Sequence, residues 1–145
     1  FLDESHSVIF TDKGIQFFST RVETSPELVS QIPIEENIRS ITYAQDKVGI
    51  VTDNVEGGDP YRLRIYDREG SPVFEKTFNY QYTGFDIDGD LVLLYNDSSC
   101  KVYNMTGTEK YNGTFDFTVS KVSAGRFPGT LLVMGPQKMT EIKLQ

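Results

Sequence analysis

The carboxylates that could do chemistry in this sequence alternate in the segment FDIDGDL, as Asp86, Asp88 and Asp90. Calcium-binding loops use oxygen ligands at alternate positions, so this spacing could hold a calcium ion. However, the glycine stands fourth in the motif rather than sixth, and the apolar run LVLLY follows at once. The segment is therefore interpreted as an Asp88–Gly89 hairpin turn, with calcium binding as the alternative.

Other reactive side chains are isolated in the sequence. His6 is the only histidine and has no second histidine or cysteine with which to bind zinc. Cys100, the only cysteine, lies in the strand-like segment SSCKVY, where a free thiol usually acts as a small core residue. No G-x-S-x-G motif occurs. We therefore predict no catalytic residues and no cofactor.

Two further groups could contact a partner. The first is a polar insertion with Gly57, Gly58 and Asp59, which lacks the lysine and the following helix of a phosphate-binding loop. The alternative for this insertion is a tolerated loop without a function. The second group is Tyr80 and Tyr82, whose rings could stack on sugars or on a peptide. The alternative for these rings is packing between neighbouring sheets.

Size and charge limit the function classes. The chain has 145 residues, with 21 acidic and 14 basic side chains and a formal charge of −7. That length fits one domain, or a compact piece of a larger one. Acidic charge and scattered cations disfavour nucleic-acid binding and contact with anionic lipid. The apolar runs are too short to cross a bilayer, and the first residues lack the pattern of a signal peptide. We expect the chain to begin within a domain.

A repeat organises the middle of the chain. Ile65–Phe78 (IYDREGSPVFEKTF) aligns without gaps on Val102–Phe115 (VYNMTGTEKYNGTF) at an offset of 37 residues. Each segment is predicted to form a strand, a tight turn and a second strand. In the turns, an Asp or Asn accepts hydrogen bonds from the backbone and a glycine supplies the positive φ. The structural turn residues are Asp67 and Gly70 in the first copy, and Asn104 and Gly107 in the second.

Apolar runs on both sides extend the repeat. A pair of runs with a predicted turn at Gln45–Asp46 precedes the first hairpin, and a similar pair around Asp88–Gly89 precedes the second. Partial copies flank these units, and no stretch has a helical period. The prediction is an all-β chain of about fourteen strands in a 3-4-4-3 pattern. The predicted units are residues 1–37, 38–80, 81–117 and 118–145, the first and last being incomplete.

The shared pattern [IV]-Y-[DN]-x-x-G-x-x-x-[FY] resembles the WD40-like and quinoprotein-like repeats of β-propellers. The sequence departs from these families because it contains no tryptophan and no Gly-His pair. As a whole it resembles uncharacterised propeller-like proteins of bacterial cell envelopes, which carry a membrane anchor before the propeller. The resemblance implies a partial (half) β-propeller on the extracytoplasmic side of a bacterial membrane. No membrane contact is expected from the segment itself.

This resemblance implies a non-enzymatic binding or scaffold module for a protein or glycan partner. Two alternatives remain at this stage: a propeller-type lyase or glycosidase, or a calcium-binding module that uses Asp86, Asp88 and Asp90.

The first predicted sheet lacks its inner strand and the last lacks its outer strand. Exposed blade faces favour pairing, so a homodimer is a further expectation.

Overall fold

The structure is a computed structural model that describes residues 2, 5–20, 26–44 and 46–144. Within these ranges every paired strand is antiparallel, and no helix is present. None of the described residues therefore forms a helix long and apolar enough to span a membrane. The chain divides into two compact units, Phe1–Asn79 and Tyr80–Gln145.

The first unit contains two sheets. Sheet 1 has three strands in the order β1-β2-β3, and sheet 2 has four in the order β4-β5-β6-β7. Their bounds are β1 His6–Thr11, β2 Gly14–Ser19, β3 Glu27–Pro33, β4 Ile38–Ala44, β5 Lys47–Asp53, β6 Tyr61–Asp67 and β7 Pro72–Phe78.

Sheets 1 and 2 are held together by an apolar cluster in the first unit. Alternate residues of β2, Ile15 and Phe17, are fully buried and pack with Val48, Ile50 and Tyr66 of sheet 2. The rings of Phe17 and Tyr66 meet edge to face with their centroids 6.2 Å apart. Because side chains alternate along a strand, sheet 1 uses one face for this contact and turns its other face away from sheet 2.

The second unit also contains two sheets. Sheet 3 has four strands in the order β8-β9-β10-β11, and sheet 4 has three in the order β12-β13-β14. Their bounds are β8 Gly84–Asp88, β9 Leu91–Tyr95, β10 Ser99–Asn104, β11 Glu109–Thr114, β12 Lys121–Ala124, β13 Thr130–Met134 and β14 Met139–Lys143.

A second apolar cluster joins sheets 3 and 4. Leu93 and Val102 of sheet 3 pack with Val122, Leu131 and Val133 of sheet 4, and all five are fully buried. Cys100 belongs to the same cluster. It stands 37 residues after the buried Leu63 of sheet 2, so the cysteine occupies a core position of the repeat.

The structure confirms the all-β prediction and the 3-4-4-3 strand pattern. It also confirms the repeat in atomic detail. The register of β6 with β7 shifts between Ile65 and Tyr66, and that of β10 with β11 shifts at the equivalent step between Val102 and Tyr103. Gln45, predicted to turn with Asp46, lies outside the described residues.

The two repeated turns are alike. The Asp67 carboxylate accepts hydrogen bonds from the backbone N–H groups of Glu69 and Ser71, both at 2.9 Å. The Asn104 side-chain oxygen accepts them from Thr106 at 3.0 Å and Thr108 at 2.9 Å. The turn glycines Gly70 and Gly107 have φ values of 88° and 82°. These positive values explain the glycine in both copies.

Candidate functional site

The loop of residues 54–60 joins β5 to β6 and is organised around one asparagine. The Asn54 side-chain amide donates to the carbonyl oxygens of Gly57 at 3.1 Å and Asp59 at 2.8 Å. The backbone N–H of Asn54 donates to the Pro60 carbonyl at 2.9 Å. Gly57 and Gly58 have φ values of 85° and 81°. The loop therefore has a defined backbone path that requires its glycines.

Side chains of β6 and β7 fix this loop to sheet 2. Arg62 Nη2 donates to Glu56 Oε2 at 2.8 Å and to Asn54 Oδ1 at 3.2 Å, while its Nη1 donates to Glu75. The Thr77 hydroxyl donates to Asp59 Oδ2 at 3.0 Å. The hydrogen bond to Glu75, followed by that to Glu56, raises the pKa of Arg62. A charged arginine therefore anchors the loop.

The held loop presents an apolar side chain to solvent. Val55 is 75% exposed, the highest exposure among the large apolar side chains of the described residues. The corresponding loop of sheet 3 is shorter and follows Asn96, whose Oδ1 accepts from the N–H groups of Ser98 and Ser99 at 3.0 and 2.9 Å. Each loop is thus organised by its own asparagine, Asn54 or Asn96. Only the loop of sheet 2 is longer, and one of its residues, Val55, exposes an apolar side chain.

The carboxylates of the FDIDGDL segment have other partners. Asp86 Oδ1 accepts from the N–H of Ile87 at 2.9 Å, and Asp88 Oδ2 accepts from the N–H of Ala124 in β12 at 2.8 Å. Gly89 and the exposed Asp90 form the turn from β8 to β9, with φ of 61° at the glycine. The part of the chain that the structure describes contains no group of three side chains placed to hold a metal. Asp88 instead joins sheets 3 and 4.

The two candidate tyrosines are packed in the second unit. The Tyr80 hydroxyl shares a 2.7 Å hydrogen bond with the hydroxyl of the buried Ser99, and burial raises the pKa of Tyr80. Tyr82 is half-buried, and its ring meets that of Phe85 edge to face with the ring centroids 6.4 Å apart. The tyrosines therefore attach the segment before β8 to sheet 3. Gly57, Gly58 and Asp59 lie in the first unit, so the predicted binding residues are divided between the two units.

The single histidine and the single cysteine of the sequence belong to different units. His6 Nδ1 is 2.9 Å from the Ser5 hydroxyl, at the start of β1. Cys100 is fully buried, and burial raises the pKa of its thiol to about 12. A thiol with this pKa is protonated at neutral pH and is a poor nucleophile. Its position in the apolar cluster agrees with the packing role predicted from SSCKVY.

Comparison with known proteins gives a family and a fold. A family model described as "Family of unknown function (DUF5711)" matches residues 1–144. The chain belongs to this family. A search of curated protein sequences finds no match to the chain.

The fold of this DUF5711 chain is similar to those of three solved structures. They are the computationally designed Ika4 protein (TM-score 0.58, 10% identity), the WD40 β-propeller domain of Doa1 (0.57, 12%) and a eukaryotic initiation factor (0.53, 11%). The matches cover 99%, 99% and 97% of this chain, and 88%, 49% and 40% of the others. The chain thus spans less than half the length of the last two. At these identities the comparison shows a propeller-like fold.

Sequence reasoning missed one exposed surface of the DUF5711 chain. Ile41 and Tyr43 of β4 are 43% and 63% exposed, although their cross-strand partners Ile50 and Val48 are fully buried. Among the residues that the structure describes, sheet 1 has no strand that corresponds to β4, and β1–β3 leave these two side chains exposed. The sequence already indicated this difference, because residues 1–37 were predicted to form three strands and residues 38–80 four. Ile41 and Tyr43 are exposed on a regular strand, whereas Val55 is exposed on the loop of residues 54–60.

Proposed function

We propose that this chain is a non-enzymatic binding module that engages a protein partner through the loop of residues 54–60. The propeller-like fold supports a binding or scaffold role, because stacked sheets display loops on a rigid frame. Fold alone does not fix function, so the proposal rests on the loop itself.

The observation that carries the proposal is the exposed Val55 on a loop fixed by Asn54, Arg62 and Thr77. Ordering a flexible loop on binding costs free energy, and a loop already held by side-chain hydrogen bonds avoids most of that cost. An exposed aliphatic group on a fixed loop suits a protein surface with an apolar pocket. Sugar sites commonly use an aromatic face, and residues 54–60 contain no aromatic side chain.

The chemistry of the described residues supports a role without catalysis. The buried thiol of Cys100 is protonated, and the Asp88 carboxylate is occupied by a backbone N–H of β12. A glycosidase needs two carboxyl groups on opposite sides of the bond that it cleaves. In the segment FDIDGDL the central carboxylate, Asp88, instead accepts a hydrogen bond that joins sheets 3 and 4. Turnover of a glycan or polysaccharide by the purified chain would contradict this part of the proposal.

The proposed location is the extracytoplasmic side of a bacterial membrane, within a membrane-anchored parent protein. Its support is the resemblance of the repeat pattern to propeller-like envelope proteins. Protease treatment of intact cells that make the parent protein provides the test, with digestion compared before and after lysis. Degradation of the protein in intact cells is expected, and protection until the cells are lysed would contradict the location.

Site-specific photo-crosslinking tests the partner surface. A photoreactive amino acid replaces Val55 in one variant and Phe127, which is 62% exposed in the second unit, in a control variant. In cells that make the protein, we expect a discrete protein adduct at position 55 that is absent at position 127. The Val55→Asp variant should fail to compete for that adduct. Identical adducts at both positions, or none at position 55, would overturn the proposal, as would binding on a glycan array that Val55→Asp abolishes.

A further inference from the structure

Two loops of the second unit have the same backbone arrangement. One joins β9 to β10 in sheet 3, and the other joins β13 to β14 in sheet 4. The N–H of Asn96 donates to the Ser99 carbonyl at 3.1 Å, and the N–H of Gly135 donates to the Lys138 carbonyl at 2.7 Å. Asn96 and Gly135 each directly follow the second strand of their sheet, so they occupy equivalent positions.

The segments that lead into these two sheets correspond as well. The N–H of Thr83, just before β8, donates to the Tyr95 carbonyl at 2.8 Å. The N–H of Ser120, just before β12, donates to the Met134 carbonyl at 2.7 Å. Thr83 and Ser120 are 37 residues apart, which is the offset of the repeat. Each position just before β8 is therefore matched by the position 37 residues later, before β12.

In sheet 3 one side-chain carboxamide fills the space between the loop and the preceding segment. Asn96 Oδ1 accepts hydrogen bonds from the N–H groups of Ser98 at 3.0 Å and Ser99 at 2.9 Å, and its Nδ2 donates to the Gln81 carbonyl at 2.8 Å. The Tyr80 hydroxyl closes this space through its 2.7 Å hydrogen bond with the Ser99 hydroxyl. A carboxamide has both an acceptor and donors, so it bonds all three backbone groups at once.

In sheet 4 the corresponding positions have neither the carboxamide nor the hydroxyl. Gly135 stands at the position of Asn96, and Phe117 at that of Tyr80. A Cβ atom on Gly135 would lie 2.5 Å from the Thr118 carbonyl oxygen and 2.9 Å from Phe117 Cδ2, so the close approach of the two segments requires a glycine. The loop of sheet 4 therefore has no side chain at this position to bond its backbone groups.

A cavity of about 230 Å³ lies beside this glycine. Phe117 and Lys138 form two of its walls, with Lys138 Nζ 5.2 Å from the centre of the Phe117 ring. The exposed carboxylate of Asp116 lies 3.4 Å from the same Nζ. Cavities for drug-sized ligands begin at about 300 Å³, so this one has room for a group the size of one sugar ring. Its lining residues are Phe117, Thr118, Gly135, Pro136, Gln137 and Lys138.

We propose that this cavity binds the acetamido group of an N-acetylated hexosamine. The acetamido carbonyl accepts hydrogen bonds from the N–H groups of Gln137 and Lys138, which correspond to the two that Asn96 bonds in sheet 3. The acetamido N–H donates to the Thr118 carbonyl, and the methyl group packs on the Phe117 ring. A carboxamide of the ligand thus takes the place of the side-chain carboxamide. The site shares no residue with the loop proposed to engage a protein, so it adds a glycan-binding activity.

The rim of the cavity favours a sugar over a peptide. The Lys138 ammonium donates to sugar hydroxyls and the Asp116 carboxylate accepts from them, so this pair matches a neutral ring that carries several hydroxyls. A peptide also carries amides, but its chain continues in both directions and needs a groove or a free strand edge. A ring-sized cavity with an aromatic wall suits a single sugar residue.

Heteronuclear NMR of the isotope-labelled chain tests the proposal with N-acetylglucosamine as the probe. We expect the backbone amide signals of Gln137 and Lys138 to shift as the sugar is added. Those of Ser98 and Ser99 should stay unchanged, because Asn96 already bonds their N–H groups. Glucose, which lacks the acetamido group, should bind at least about tenfold more weakly, since it cannot form the three hydrogen bonds.

Matched substitutions test whether the cavity is responsible. Phe117→Leu keeps an apolar side chain but removes the aromatic wall, and it should raise the dissociation constant about fivefold. Phe127→Leu makes the same change at an exposed phenylalanine outside the cavity and should leave binding unchanged. Val55→Asp should also bind the sugar normally, so loss of the protein partner and loss of the sugar are separate outcomes. Circular dichroism checks that each variant keeps the β fold.

Four results would each overturn the proposal. The amide signals of Gln137 and Lys138 stay in place at every soluble concentration of N-acetylglucosamine, or glucose binds as tightly as the acetylated sugar. Alternatively, folded Phe117→Leu binds with the affinity of the wild type. The last is that N-acetylalanine methylamide, a peptide-like probe, shifts the same signals at lower concentration than the sugar does, which would assign the cavity to a peptide.

Discussion

Sheets 2 and 3 have the same strand order, the same register shift in their last hairpin and the same turn, but the side chains of their first strands differ in exposure. Ile41 pairs with Ile50 and Tyr43 with Val48; the equivalent pairs in sheet 3 are Phe85 with Leu94 and Ile87 with Val92. Tyr43 is 63% exposed, whereas Ile87 is 5% exposed. Strand pairing therefore fixes which face a side chain occupies, but it does not by itself decide whether that face is buried.

The largest expected effect tests this difference directly. Ile87→Ala removes buried apolar volume and is expected to lower the free energy of unfolding by about 3 kcal/mol. Tyr43→Ala, at the equivalent position of sheet 2, should change it by less than about 0.5 kcal/mol. Urea denaturation of both variants measures the two values. Equal losses would mean that Tyr43 is covered in solution and that the two strands have similar surroundings.

A second contrast concerns two turn glycines with positive φ. A methyl group added to Gly70 would lie 2.7 Å from the Ser30 hydroxyl oxygen and 2.8 Å from Phe17 Cδ1, whereas one added to Gly89 meets nothing within 4 Å. Gly89→Ala therefore carries only the left-handed backbone cost of about 1 kcal/mol. Gly70→Ala adds a clash with sheet 1 and should cost at least about 2 kcal/mol. The midpoints of urea denaturation compare the two variants. A loss of stability in Gly70→Ala no larger than that in Gly89→Ala would show that sheet 1 moves to accommodate the methyl group.

The features that could be predicted from sequence are local ones. The turns at Asp67 and Asn104 depend on side chains that bond to backbone groups two and four residues away, so a short motif contains all the necessary information. Alternating apolar runs likewise identified the strands, because each strand is a continuous segment.

The candidate site was only partly predictable. The loop of residues 54–60 was visible as an insertion, but its anchors Arg62 and Thr77 lie on strands that reach it only in the folded sheet. The bond from Ala124 to Asp88 spans 36 residues, and Tyr80 reaches Ser99 across 19. No spacing rule encodes such contacts. They arise from sheet packing, which a single sequence does not report.

A third prediction separates two carboxylates of the acidic segment. Asp88 accepts from a backbone N–H of the neighbouring sheet, whereas Asp86 accepts from the next residue of its own strand. Asp88→Ala leaves the Ala124 N–H without this partner and is expected to cost about 1–2 kcal/mol. Asp86→Ala should cost under about 0.5 kcal/mol. Thermal denaturation with and without calcium provides the measurement. A calcium-dependent rise in melting temperature that Asp88→Ala abolishes would support the calcium alternative and contradict the structural role.

The smallest expected effect concerns equivalent cations of the repeat, Arg64 in sheet 2 and Lys101 in sheet 3. Arg64 Nη2 lies 2.7 Å from Glu36 Oε1, with both side chains largely buried, whereas Lys101 Nζ lies 3.4 Å from Glu109, which is 43% exposed. A backbone hydrogen bond at Glu36, followed by Arg64, holds the pKa of Glu36 below its usual value of 4.5. Glu36→Gln should therefore lower stability at pH 7 by about 0.5–1 kcal/mol, and Glu109→Gln by less.

The pH dependence of this pair gives the sharper readout. Because the folded state lowers the pKa of Glu36, ionisation of this carboxyl favours folding above pH 4.5, and that contribution disappears as the pH falls through the folded-state value. Urea midpoints of the wild type and Glu36→Gln should differ at pH 7 and converge as the pH falls below 4.5 and through the lowered pKa of Glu36. A difference that persists unchanged at the lower pH would mean that the glutamine disturbs the packing between β3 and β4 rather than removing an ion pair.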